Sequence, residues 1–277
     1  MFSKLRPLLF KVDPEKAHTL AIKSLKFNLI PNVFDEHKNE SIFQTKIFGK
    51  DLDNPIGMAA GFDKNAEVYN ALFKLGFGFV EVGTITPLKQ YGNPKPRVFR
   101  LVEDEALINR LGFNNHGAEI VKDRIKRNKK LGLLGINIGP NKDSSDRLND
   151  YLIGLKTFYD DADYITINIS SPNTENLRTF HEGNKLQDLL KSIMEEKKNL
   201  NSNIPIAVKV SPDISEDQVS QISEILLEHE IKAIIVSNTS EATRDKLSNI
   251  QRHQKGGLSG KPIEEKSNIL INEFYKL

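Results

Sequence analysis

The run Asn168-Ile169-Ser170-Ser171-Pro172-Asn173-Thr174 packs amides and hydroxyls directly behind Tyr164-Ile165-Thr166-Ile167, a β-branched stretch that alternates like a strand. Three more apolar runs end in the same way. Ile234-Ile235-Val236 leads into Ser237-Asn238-Thr239, Leu134-Gly135-Ile136 into Asn137, and Ile206-Ala207-Val208 into Lys209. Asparagine amides donate and accept hydrogen bonds, so the set suits a polar ligand with amide-like edges, and a lysine beside them suits an anion. Polar groups in line with buried strands are costly to desolvate unless something binds them. Each residue alone could be a turn or cap residue, but four such strand ends are hard to explain as packing.

The elements that would carry these residues alternate from residue 55 onward. Strands are predicted at 56–59, 79–83, 134–138, 164–168, 206–210 and 233–238, and helices near 65–75, 116–129, 146–160, 184–199, 215–229 and 262–276. Residues 42–48 could pair with Leu52 in a small hairpin. Strand–helix alternation implies a parallel sheet with helices outside, with catalytic groups at the C-terminal strand ends. No Gly-x-Gly-x-x-Gly follows the first strand, and there is no P-loop. The connection from Ile169 to Gly183 exceeds the usual ~2–6 residues and reads as a lid. Six βα units are visible where a closed barrel needs eight. On this count the barrel is expected to be C-terminally incomplete by roughly sixty residues, with two open strand edges.

With 277 residues, 38% apolar and 27% charged, the chain suits one large α/β domain, and a net charge of +2 gives no reason to expect a nucleic-acid partner. The absence of cysteine excludes disulfides, thiolate metal sites and a cysteine base. The six histidines are scattered, so no metal site is expected. Residues 1–30 differ from the rest, with six Lys/Arg against two Asp/Glu and with Phe2, Leu5, Leu8, Leu9 and Phe10 interleaved. Asp13-Pro14 reads as a cap and first helical turn, and Pro31-Asn32 as the stop. Such a basic amphipathic segment can lie in a membrane interface; a helical hairpin packed on the domain is the alternative.

Five motifs in order carry a resemblance: Ala59-Ala60-Gly61-Phe62-Asp63-Lys64, Glu81-Val82-Gly83-Thr84-Ile85-Thr86-Pro87, Asn109-Arg110-Leu111-Gly112-Phe113-Asn114-Asn115, Gly135-Ile136-Asn137-Ile138-Gly139 and Asn168 to Thr174. The chain resembles the class 2, membrane-associated and quinone-dependent dihydroorotate dehydrogenases. The resemblance implies a (β/α)8 TIM barrel holding FMN, with an N-terminal helical extension over residues 1–40 and the barrel over 41–277. It implies oxidation of dihydroorotate to orotate in pyrimidine synthesis, with a membrane quinone as final acceptor and peripheral association with the cytoplasmic side of the cell membrane.

Carried onto this sequence, the resemblance makes Ser171 the base, where soluble members use cysteine. Substrate would meet Lys64, Asn109, Arg110, Leu111, Gly112, Phe113, Asn168, Asn173, Asn238 and Thr239. The flavin would meet Ala60, Gly61, Phe62, Asp63, Lys64, Thr84, Asn137, Asn168, Lys209, Ser237 and Gly260. His18 and Arg100 would lie near the quinone head. No His or carboxylate beside Ser171 in the sequence obviously receives its proton; Thr174 and a water are candidates. The flavin phosphate loops of the family would fall in the two units beyond the sixth. Another flavin barrel enzyme acting on a pyrimidine or uridine, and a non-catalytic relative, are the alternatives.

Overall fold

A computed structural model describes residues 2–29, 41–242 and 244–277, with side chains from Arg6 and from Ile42 onward. Two helices open the chain, α1 (Phe2–Leu9) and α2 (Pro14–Lys26). A hairpin of β1 (Thr45–Ile47) and β2 (Lys50–Leu52) follows, then β3 (Gly57–Met58), α3 (Tyr69–Lys74) and β4 (Phe79–Ile85). Next come β5 (Val98–Leu101), β6 (Ala106–Asn109), α4 (Ala118–Lys126), β7 (Leu133–Ile138), α5 (Arg147–Phe158), β8 (Tyr164–Asn168) and α6 (Gly183–Asn199). The chain continues through β9 (Ile206–Lys209), α7 (Glu216–Glu228), β10 (Ala233–Ile235), β11 (Gly257–Gly260) and α8 (Glu264–Lys276). The Pro31-Asn32 helix stop and the 40/41 boundary lie outside the described residues.

The parallel sheet has the order β10-β9-β8-β7-β4-β3, and β3 and β10 are its unpaired edges among the described residues. The six expected βα units are present. Alternation along each strand separates two cores. Ile136, Ile138, Ile165, Ile167, Ile206 and Val208 face outward and pack with helix residues such as Leu155, Phe158, Leu189 and Ile222. Each fully buried side chain of this size contributes about 1.5–3 kcal/mol. Leu133, Tyr164 and Ala207 face inward, and the hairpin's Leu52 joins them at the N-terminal end of the sheet. The register continues that inward face upward, pairing Glu81 with Gly135, Asn137 with Thr166 and Asn168 with Lys209. A polar layer therefore sits above the apolar one on the same side of the sheet.

Helix ends follow their caps. Asp13 accepts from the Lys16 N–H at 2.9 Å to start α2, and Ser215 with Gln218 forms a capping box on α7. The predicted strand 233–238 shortens to Ala233–Ile235, since β10 has a ladder partner on one side only. A second sheet, β11-β6-β5, is antiparallel with its own core of Phe99, Leu101, Ile108, Leu247 and Leu258. It had no clear signal in the sequence, because its four-residue strands are too short to establish a period and β11 lies about 150 residues from its partner β6.

Candidate active site

A cavity of about 680 Å³ opens at the C-terminal ends of the parallel strands, with α2 along one wall and β5–β6 along another. Ala60, Gly61, Phe62, Asp63 and Lys64 line it from the turn after β3, and Thr84 from the end of β4. Asn109, Leu111, Gly112 and Phe113 line it beyond β6; Asn168, Ser171 and Asn173 beyond β8; Lys209 ends β9; Ser237, Asn238 and Thr239 follow β10. His18 on α2 and Arg100 on β5 complete the lining.

Three expected site residues are not brought to this surface. Asn137 is fully buried beneath it and reaches it through two lining residues: the Thr84 hydroxyl donates to Asn137 Oδ1 at 2.6 Å and Asn168 Nδ2 at 3.2 Å. Arg110 turns away; its guanidinium donates to Gln254 Oε1 (2.9 Å), Lys255 O (3.1 Å) and Pro96 O (2.9 Å) and stacks over Phe99. Gly260 stands one residue beyond Ser259, which does line the cavity.

Ser171 is 5% exposed, and its Oγ accepts the Asn173 N–H at 3.2 Å. Asn173 Nδ2 reaches Asn109 Oδ1 at 3.4 Å, so the loop after β8 touches the β6 wall. Thr174 Oγ is buried with no hydrogen-bond partner, three residues from Ser171. Arg178 holds this loop from behind. It donates to Ser170 O (3.1 Å), Thr239 O (2.8 Å) and Asp213 Oδ2 (3.0 Å), and Asp213 also accepts from Ser240 Oγ (2.5 Å) and Lys266 Nζ (2.7 Å). Tyr151 on α5 donates to Asn168 O at 2.7 Å and fixes the strand end. Arg178, Asp213 and Tyr151 were not singled out in the sequence, since nothing local marks a residue that acts through a distant carbonyl.

Two lysines supply positive charge. Burial, aided by nearby Arg97, lowers Lys64 to about 8. Its ammonium donates to Gly61 O. Lys209 is 9% exposed, and burial lowers its pKa while the buried Glu81 works in the opposite sense. Burial first, then the Lys64 charge, lowers His18, whose Nε2 meets Phe62 O at 2.8 Å. Arg100 donates to Val12 O (2.6 Å) and lies over the Phe10 ring. The bidentate pair of Arg97 with Glu15 (2.6 and 3.1 Å) fastens α2 over the cavity. Burial works against ionising Glu15, but Arg97 and Lys95 outweigh it and hold the carboxyl below its ordinary range.

These donors and acceptors fit the ring system of a flavin. Asn114 Oδ1 is buried at the cavity without a partner, and Lys209 offers a buried cation to an electron-rich edge. Gly61 adopts φ +115, with nothing within 4 Å of where a Cβ would stand, so a planar ring can approach its backbone. The volume lies within the range of cofactor sites.

Fold and site together define a β/α-barrel enzyme whose pocket, at the C-terminal strand ends, is rich in amides and holds two lysines. Residues 42–277 match the family model of dihydroorotate dehydrogenase, and the chain belongs to that family. It is 45% identical over 276 residues to the dihydroorotate dehydrogenase (quinone) of Agrobacterium fabrum, covering 98% of this chain and 76% of that protein. The protein of the same description from Bartonella tribocorum is 48% identical, with 96% and 74% covered. The ligand-free structure of the Eimeria tenella protein superposes with a TM-score of 0.90 at 36% identity, covering 95% of this chain and 79% of that one.

Proposed function

We propose that this protein oxidises dihydroorotate to orotate on a bound FMN and passes the electrons to a membrane quinone, a step of pyrimidine biosynthesis. The carrying observation is that one cavity gathers Ser171, the buried Lys209, the partly buried Lys64 and the amides of Asn109, Asn168, Asn173 and Asn238. The asparagines and Thr239 hold the substrate ring, and Lys64 pairs with its carboxylate. Ser171 Oγ takes the proton from one ring carbon, and hydride leaves the neighbouring carbon. When bound, FMN supplies the hydride acceptor; Lys209 stabilises the negative charge that develops there. The Ser171 proton needs an exit, and the unpartnered Thr174 hydroxyl offers a place for a relaying water.

The N-terminal segment is the quinone and membrane side of the enzyme. Leu8 is 66% exposed, Phe27 75% and Leu29 71%, among Lys11, Lys16, Lys23 and Lys26. Among the described residues no helix is long and apolar enough to cross a membrane. The exposed apolar and basic groups favour peripheral attachment. His18 on α2 and Arg100 on β5 line the cavity, which supports assigning them to the quinone head. Purified protein should show a flavin spectrum that dihydroorotate bleaches and a quinone restores. Ser171→Ala should keep the colour and the orotate affinity and lose the bleaching in stopped flow; unchanged bleaching rates would reject the assignment.

A further inference from the structure

His181 stands near the far end of the loop that carries Ser171, does not line the cavity, and has no part in the chemistry above. The residue is 2% exposed, and its ring makes two hydrogen bonds, both to backbone. Nε2 meets the Ser211 N–H at 3.1 Å, and Nδ1 meets the Arg178 carbonyl at 2.9 Å. A backbone N–H only donates and a carbonyl only accepts. Nε2 must therefore be bare and Nδ1 must carry the hydrogen, so the ring is neutral and held in one tautomer. Ser211 is 1% exposed and, among the described residues, its N–H meets no other acceptor. The Arg178 carbonyl belongs to the residue whose guanidinium grips Ser170 O and Thr239 O. The histidine thus ties the 169–183 loop to the turn after β9.

We infer that His181 is a positioning residue: its neutral ring anchors the Ser171-bearing loop to the turn after β9, and a proton on Nε2 breaks that anchor. The role of Ser171 itself rests on the function proposed above. A hydrogen on Nε2 would face the Ser211 N–H, setting two donors against each other and leaving a buried one without an acceptor. Burial opposes that proton, the Arg178 carbonyl favours it and the Arg178 charge opposes it, with the balance below the ordinary 6.5. On the turn after β9, Asp213 is engaged by Arg178, Ser240 and Lys266. Burial works against ionising Asp213, but Lys266, Ser240 and the Glu241 N–H outweigh it, so it stays charged at mildly acidic pH. At the start of α6, Glu182 and Lys185 pair with each other at the surface (2.9 Å). From α5, Tyr151 packs edge-on against Phe180, and burial raises its hydroxyl, so it stays neutral. Of these groups His181 is the one that titrates near neutrality. Opening the loop returns its ring to the ordinary value, so the open state binds more protons below 6.5. The closure that this bond contributes is present above 6.5 and is lost as the pH falls.

The test reads amide hydrogen exchange across residues 169–183 of the ligand-free protein at pH 7.5 and 5.5, corrected for intrinsic exchange rates. Wild type should lose protection by up to about tenfold at the lower pH, the limit for one proton taken up on opening. His181→Gln offers one donor and one acceptor without titrating; it should match wild type at pH 7.5 and keep that protection at pH 5.5. His181→Leu leaves the Ser211 N–H unpaired and should lose about 10- to 100-fold at both pH values. In stopped flow with dihydroorotate at pH 7.5, His181→Leu should reduce the flavin more slowly with orotate affinity little changed, and His181→Gln should restore the rate. Equal pH dependence in wild type and His181→Gln, wild-type protection in His181→Leu, or a wild-type reduction rate in His181→Leu would each overturn the inference. If His181→Leu fails to fold, the comparison of wild type with His181→Gln decides. If wild type itself reduces no flavin, the proposed function falls, and the exchange data still decide whether His181 anchors the loop.

Discussion

Raising the pH from 7 to 9.5 should weaken orotate binding through Lys64. Burial, with the Arg97 charge behind it, brings this lysine to about 8 from an ordinary 10.5. Its protonated fraction in the free protein then falls from about 0.9 at pH 7 to about 0.03 at pH 9.5. A bound carboxylate keeps the ammonium charged, so binding at high pH must first restore the proton. The affinity should therefore drop by about 30-fold across this interval, approaching tenfold per unit above pH 8. Titration calorimetry or flavin fluorescence at each pH measures it. Lys64→Met should bind weakly at pH 7 and show little further loss. A flat wild-type profile, or a steep one persisting in Lys64→Met, would refute the reasoning. Stability of the ligand-free protein moves the other way. The unfolded chain holds the Lys64 proton up to about 10.5 and the folded chain up to about 8, so the unfolded state binds more protons between these values. Stability contributed by this group should accordingly rise with pH through that window, and the cost of burying the charge is fully present below it.

Arg178→Ala removes a guanidinium that ties Ser170, Asp213 and Thr239 together; it should cost about 2 kcal/mol, a fall of about 4–8 °C in Tm, and slow flavin reduction more than it weakens orotate binding. Gly135→Ala places a Cβ 2.1 Å from Tyr164 Cζ inside the sheet, so overpacking of about 1–3 kcal/mol should lower Tm in a calorimetric scan while leaving the cavity residues in place. Glu15→Gln breaks the bidentate pair with Arg97; α2 should become sensitive to limited proteolysis, and quinone reduction should fall further than dihydroorotate-driven flavin reduction. In wild type, the same pair contributes stability above the ordinary carboxylate range that is lost as pH falls through the lowered pKa of Glu15, which acid titration of the protease sensitivity would follow.

Much of the barrel was legible because period-two runs of Ile and Val can be buried on both faces only in a parallel sheet covered by helices. The polar groups after Ile167, Val208 and Val236 marked the mouth of the pocket for the same reason, since a strand end is where the chain leaves the apolar layer. The sequence by itself thus determined the βα order and which strand ends bear chemistry, and its motifs pointed to the family. Tertiary structure alone decided where the side chains face. Arg110 sits in the middle of a site motif, yet its guanidinium is claimed by carbonyls of residues 96 and 255. Glu81 reads in sequence as a mid-strand charge, yet its partners come from residues 137 and 166. Hydrogen bonding joins groups by distance and direction in space, and partners some 50 to 150 residues apart leave no local trace in the chain.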